Sequence, residues 1–341
     1  MKHIYRAYGL TLESDSAVPG LTPLVASALK PDLSLDLHPA SAWAQASLQL
    51  PVTSHRIRPT NVTPDEPGFT VSEHGDGKYI RLGYADGTQF VMDEAATLLW
   101  GKAGPGLSYE DVCVYLLGPV MGFVLRRRGK IPLHASALSI QGRGIAIVGE
   151  AGSGKSTTAA AMALRGWPVL SEDVCALEEE QAGFRVEPGY PRICLWPDSV
   201  EFLFSSAEAL PLIVKGWEKR FLAADGAKAK FSSHAVPLAA IFLLGDRSND
   251  ARSPFVETIS QKETVLRLVQ NTHMNWLLDK TQRAAEFDLL SRLASTVKCF
   301  RVVPSADPSR LRALAEMIES HTMSLEIPVL QTAANVVPRN V

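Results

Sequence analysis

Cysteine is scarce, with four in 341 residues. Cys113, Cys175, Cys194 and Cys299 each stand alone in apolar sequence. That scatter excludes the close pairs of a zinc site and the density of a secreted disulfide scaffold, and it predicts reduced core thiols in a cytosolic protein. Net charge is scarce as well. Thirty-four Lys and Arg against 36 Asp and Glu leave −2 and a pI near 6.5. No global electrostatic footprint therefore argues for nucleic acid or for an anionic membrane surface. The most apolar stretch, Val112 to Leu125, is about 14 residues with Pro119 inside it, against the roughly 20 that a membrane span needs. It reads as a buried helix, opened by a capping box at Ser108 and Asp111 and closed by the arginines and glycine of RRRGK, residues 126–130. The opening MKHIYRAYGLTLESD has no apolar core of signal-peptide length, so secretion is not expected. There is no internal repeat and no long low-complexity segment. A G-x-S-x-G elbow is also missing, which removes hydrolase chemistry through Ser136 or Ser153.

What is present is globular composition, 46% hydrophobic and 21% charged, over a length suited to two domains. Residues 1–110 are rich in proline, serine and short alternating runs. YIRLGYADGTQFVMD reads as two strands joined around Asp86 and Gly87. From residue 111 to 325, apolar β-type runs (GIAIVG, PVLSED, PLAAIFLLG, VKCFRVV) alternate with helical patterns, which predicts an α/β domain. Residues 326–341 read as a surface tail.

GEAGSGKS, Gly149 to Ser156, fits the GxxxxGK[ST] pattern, with a strand-like run before it and an alanine-rich helix after it. Glycines let successive backbone N–H groups turn inward around phosphate oxygens, and the helix presents its positive end to the anion. The nucleotide-binding set is Gly149, Gly152, Ser153, Gly154, Lys155, Ser156 and Thr157. Lys155 is expected to neutralise the β and γ phosphates, and the Ser156 hydroxyl to ligate Mg²⁺. One helix later, SED places Glu172 and Asp173 beyond a short apolar strand. Paired acids there suit a division of labour in which one holds metal and the other accepts the proton of an incoming hydroxyl. The predicted architecture is an α/β nucleotide-binding P-loop domain carrying a smaller β-rich N-terminal domain.

LHASAL with His134, the GEAGSGKS loop and the SED acids resemble, in order and spacing, the HPr kinase/phosphorylase family of bacterial serine kinases. That resemblance implies Glu172 as base, Asp173 as metal ligand beside Ser156, and His134 as a site residue. The first acid is Glu where the family carries Asp, so which acid does which job stays open. The family's glycine-rich segment is replaced by GYPRICLWPDS, residues 189–199. Together with YGL at Tyr8 to Leu10, this is similar to the HPr-kinase-like proteins of peptide biosynthesis clusters, lasso-peptide kinases included, which phosphorylate a peptide hydroxyl.

Arg192 offers a planar fork to phosphate and Trp196 a stacking face, yet RICLW also alternates like a half-buried strand. The segment 215–230 carries Lys215, Lys219, Arg220, Lys228 and Lys230 against Glu218 and Asp225, 5 − 2 = +3. It is a candidate to receive an acidic peptide or triphosphate oxygens, with Lys219 or Arg220 closing over the donor, or else a solvated loop. His234 and His273 lack metal-ligand spacing and read as structural. The function expected is a Mg-ATP-dependent hydroxyl kinase acting on Ser or Thr of a peptide or small protein. The alternatives are an HPr serine kinase and a nucleotide-binding regulator that transfers nothing. No nucleic-acid or membrane partner is expected, and homo-oligomer contacts stay open.

Overall fold

The computed structural model describes residues 2–25, 29–37, 41–57, 69–214 and 216–325. The tail expected over 326–341 lies outside the described residues, as does Lys215. The fold is mixed α/β, with two eight-stranded sheets and one two-stranded sheet. Among the described residues no helix is long and apolar enough to cross a membrane.

The first sheet contains β1 (His3–Ala7), β2 (Leu10–Ser14), β3 (Leu33–Asp36), β4 (Val52–Ile57), β5 (Phe69–His74), β6 (Tyr79–Tyr84), β7 (Gln89–Asp93) and β8 (Leu98–Lys102). They lie in the order β1-β2-β3-β8-β7-β6-β5-β4. The short helix α1 (Ala42–Leu48) separates β3 from β4 in sequence. β6 and β7 form the expected hairpin. Gly87 takes a left-handed φ of +89° at its tip, and the Thr88 N–H donates to Asp86 Oδ1 at 2.8 Å.

The first core does not stop at its sheet. Leu12, Leu33, Ile80, Leu82, Phe90, Met92 and Leu99 pack in one cluster with Val112 to Leu125 and with Val174, Ala176 and Tyr190. The apolar 112–125 segment is buried as its composition implies, but it is not one helix. α2 (Tyr109–Tyr115) passes through a wide turn at Leu116–Val120 into α3 (Met121–Arg127). Pro119 brings no N–H to the helical ladder, and Gly118 leaves helical geometry (φ −103°, ψ −108°). The expected capping box at Ser108 and Asp111 is formed. Gly129 ends the helix at φ +74°.

The second sheet contains β9 (Pro132–Ile140), β10 (Arg143–Val148), β11 (Val169–Ser171), β12 (Val174–Glu180) and β13 (Gly183–Val186). The small separate sheet pairs β14 (Arg192–Leu195) with β15 (Arg220–Ala223). β16 (Val236–Leu244), β17 (Phe255–Thr258) and β18 (Lys298–Val303) complete the second sheet. β10 runs parallel to β16, and β16 parallel to β18. Five helices accompany it: α4 (Lys155–Leu164), α5 (Pro197–Phe204), α6 (Gln261–Gln270), α7 (Lys280–Thr296) and α8 (Leu311–Ser324).

GIAIV is apolar throughout because both of its faces are covered. Ile145 and Ile147 pack with Ala159, Ala160, Leu314 and Ile318 of α4 and α8, while Ala146 and Val148 pack with Leu268, Leu290 and Leu293 of α6 and α7. Because β10 and β16 are parallel, their carboxyl ends reach the same edge. That edge carries the 149–156 loop.

Candidate active site

The loop is shaped by its glycines. Gly152 and Gly154 hold φ of +78° and +100°, and a Cβ at Gly149 would lie 2.7 Å from Ser153 Oγ and 3.0 Å from the Leu244 carbonyl. Only glycine fits such positions without strain. α4 starts at Lys155 with no capping side chain and no acid in its first turn, so its positive end is not neutralised from within. The Lys155 ammonium is buried and donates to the carbonyls of Gly149 (2.8 Å) and Glu150 (3.0 Å). Burial lowers its pKa, and the nearby charges of Asp173 and Glu172 oppose that shift. Ser153 Oγ is buried without a hydrogen-bond partner. Thr157 Oγ1 lies 2.8 Å from Ser199 Oγ, tying the loop's helix to the PDS segment.

The acid pair stands directly against this loop. Ser156 Oγ donates to Glu172 Oε1 at 2.7 Å, and the Cys194 N–H donates to Glu172 Oε2 at 3.3 Å, so both oxygens of Glu172 are engaged. Asp173 follows at a left-handed φ of +66°, which turns its carboxylate away from its neighbour's direction and onto His134 Nε2 at 3.2 Å. Burial and the adjacent Asp173 charge hold the Glu172 carboxyl above the usual carboxylate range. Burial pushes Asp173 upward too, but the hydrogen bond from His134 and the electrostatic influence of His134, His273 and Lys219 outweigh it. The Asp173 carboxyl therefore lies well below the usual range. Two adjacent acids thus titrate in opposite directions. Asp173 is crowded by neighbouring atoms, yet 44% of its side chain still reaches solvent.

Support behind the pair comes from both sheets. His134 lies opposite Val174 in register, and its N–H donates to the Asn271 carbonyl at 2.8 Å. The turn at 271–273 is held by a buried ion pair, Arg126 to Glu286 at 2.5 Å. Thr272 Oγ1 donates to Glu286, and Arg126 Nε donates to the His273 carbonyl. From the first sheet, Tyr8 is fully buried, and its hydroxyl donates to the Leu117 carbonyl in the kinked helix. Gly189 completes the contact, since a Cβ there would meet Ser171 Oγ at 2.2 Å and the Tyr8 ring at 2.6 Å.

The other sequence candidates divide. Of the basic segment, Lys219 joins the site: its ammonium sits 4.6 Å from the Trp196 ring centroid and lowers both acids. Arg220 donates instead to the Leu210 carbonyl at 2.8 Å, and Lys228 lies 5.0 Å over Phe204. Arg192 is clasped between the rings of Tyr190 and Phe221, 4.2 Å from each. The guanidinium thus packs on aromatic faces rather than on the loop, and its Nη1 is buried without a hydrogen-bond partner. His273, read from sequence as structural, contributes to the field on Asp173.

Arg247 was not singled out by sequence. Its Nη2 lies 3.7 Å from where a Cβ of Gly154 would stand, beyond the carboxyl end of β16. The available signal was its place just after a buried strand parallel to the loop's strand. All four cysteines are free, and burial pushes Cys113 to about 11 and Cys175 to about 12, as inert core thiols require.

No protein-family model matches the chain. No curated protein matches it. Among solved structures, the chain is similar to the HPr(Ser) kinase/phosphatase from Coxiella burnetii, at 15% identity over 56% of this chain and 96% of that one, with a TM-score of 0.32.

Proposed function

We propose that the chain is a Mg-ATP-dependent hydroxyl kinase acting on Ser or Thr of a peptide or small protein. The hydrogen bond from Ser156 to Glu172 carries this reading, because it joins a phosphate-shaped loop to a carboxylate pair in one centre. The loop suits a triphosphate on three counts: glycines that close contact (Gly149) or left-handed φ (Gly152 and Gly154) reserves to glycine, the unneutralised start of α4, and a buried Ser153 hydroxyl with no partner of its own. Lys155, now satisfied by loop carbonyls, would exchange these for phosphate oxygens. Arg247 would add a second cation over Gly154.

Among the described residues no cluster of three or more His, Cys, Asp or Glu side chains is arranged to hold a metal ion. Magnesium does not need one, since it is commonly held by one or two carboxylates, a loop hydroxyl and the substrate's own phosphates. Ser156 and Glu172 fit that donor set. Held by Ser156 and Glu172, the ion would supply positive charge that offsets charge developing on the transferred phosphate.

The same hydrogen bond supports an exchange of the roles that family resemblance implies. Glu172 has both oxygens engaged, by Ser156 and by the Cys194 N–H, whereas Asp173 is ionised and partly reaches solvent. Asp173 would orient the acceptor hydroxyl and take its proton as the oxygen bonds to the γ-phosphorus and the β–γ bridging bond breaks, releasing ADP. His134 would hold the carboxylate in place.

Two variants test this assignment. Asp173→Asn should lower the transfer rate by about 10²- to 10⁴-fold and leave magnesium-dependent nucleotide affinity nearly unchanged. Glu172→Gln should weaken that affinity as well. The opposite pattern would return the base to Glu172.

A further inference from the structure

Beyond Trp196 the site continues into a groove of about 680 Å³. We propose that this groove is the subsite for the acceptor peptide and that it takes a lysine or arginine flanking the phosphorylated hydroxyl. The inference rests on the kinase reading and adds to it the chemical class of the acceptor.

Position is the first argument. β14, whose Cys194 N–H holds Glu172, runs straight into Trp196, and Leu195 lies opposite Arg220 of β15. Trp196 is therefore a shared wall, with Lys219 and the acid pair nearby and the groove beside it. Trp196 is 37% exposed and neighbouring Leu212 43% exposed, which leaves apolar surface facing water at the site's margin. Such surface beside a reaction centre suits a substrate contact.

Charge is the second argument. Among the described residues of its lining, Asp198, Glu208 and Glu218 stand against one guanidinium, that of Arg220, which is committed to the Leu210 carbonyl. None of the three carboxylates forms an ion pair among the described residues. Glu208 accepts only a hydroxyl hydrogen bond from Ser206, at 3.2 Å. The basic composition of 215–230 does not set the charge of the groove, because Lys219 and Lys228 turn elsewhere and Arg220, at its wall, is held by a carbonyl. Lys219 faces the acids, Arg220 its carbonyl and Lys228 the Phe204 ring.

The chemistry of the lining fits one kind of side chain. Carboxylates receive a guanidinium or ammonium through charge-assisted hydrogen bonds, and a tryptophan face attracts the same cation. Trp196 already does so with Lys219 on the site side. The aliphatic stem of a lysine or arginine would cover the apolar surface of Leu212 while its head reaches the acids. An acidic flank would meet three like charges.

The test uses the full chain and three labelled heptapeptides with a central serine flanked by arginines, by glutamates or by alanines, titrated by fluorescence anisotropy. The arginine peptide should bind about tenfold or more tightly than the glutamate peptide. That preference should collapse to within about twofold in a Glu208→Gln, Glu218→Gln double variant whose thermal melt is unchanged. Failure of every peptide to bind overturns the proposal, as does a preference that survives in the double variant. Binding of a cationic amino sugar without binding of any peptide overturns the peptide assignment.

Transfer from ATP is read separately. An arginine peptide that binds through the groove but is never phosphorylated keeps the subsite and removes the kinase reading. Phosphorylation indifferent to flanking charge and to the double variant keeps the kinase and removes the subsite.

Discussion

In the first sheet, strands β4 to β8 run antiparallel and turn back tightly, so their carboxyl ends alternate between two edges. In the second sheet β10 and β16 are parallel, and their carboxyl ends deliver the 149–156 loop and Arg247 to one place. Chain direction thus decides which sheet can gather backbone N–H groups, a helix start and cations around a phosphate. The first sheet contributes in a different way. Its core runs on through the kinked helix to Val174, Ala176 and Tyr190, and it sets Tyr8 behind the acid pair. One sheet supplies reacting groups, while the other holds the turn that carries them.

The contrast can be broken by substitutions that should act on one side only. The largest effect is expected for Lys155→Ala, which should reduce phosphate transfer by about 10²- to 10³-fold or more. Because that ammonium is buried at a cost, its removal should leave the melting temperature unchanged or slightly raised. A matching loss of stability would mean that Lys155 props the fold rather than meets phosphate.

Tyr8→Phe should do the reverse. It removes a buried hydroxyl from the Leu117 carbonyl and should cost about 1–2 kcal/mol in urea denaturation. Transfer should fall less than about tenfold. A large rate loss with full stability would move Tyr8 from support into the chemistry.

The smallest effect concerns pH. Glu172 is held above the ordinary value of about 4.3, so ionising it costs the folded chain more than the unfolded one. Its stability contribution is present below that ordinary value and is lost as pH rises through the folded one. Asp173, held low, contributes above about 3.9 and loses its contribution as pH falls. Glu172→Gln should therefore gain stability relative to the parent chain on going from pH 4 to pH 7 in denaturation curves. An unchanged difference would place Glu172 in an ordinary solvated environment.

The sequence made the loop legible, because glycine spacing, a buried strand and an alanine-rich helix are local signals. The acid pair and His134 were legible for the same reason, each lying at a strand end. What could not be read depends on long-range register. Arg247 reaches the loop only because β16 lies beside β10, and His273 reaches Asp173 through a turn fixed by the Arg126 to Glu286 pair. Tyr8 acts across both cores. The basic segment divides for a related reason, Lys219 reaching the acids while Arg220 and Lys228 are held elsewhere, since net charge along a chain does not say which way alternate side chains of a strand point. The apolar 112–125 segment, expected as one buried helix, is broken at Gly118 and Pro119, and the wide turn that accommodates the break packs against the first sheet.

The most direct test of a single phosphate-transfer centre is mass spectrometry of serine-centred peptides incubated with the full chain and Mg-ATP. The expected result is phosphate on the serine hydroxyl with equimolar ADP, absent when Asp173 is replaced by Asn. Nucleotide bound without turnover, or ADP released with no phosphopeptide from any member of the set, would contradict the account.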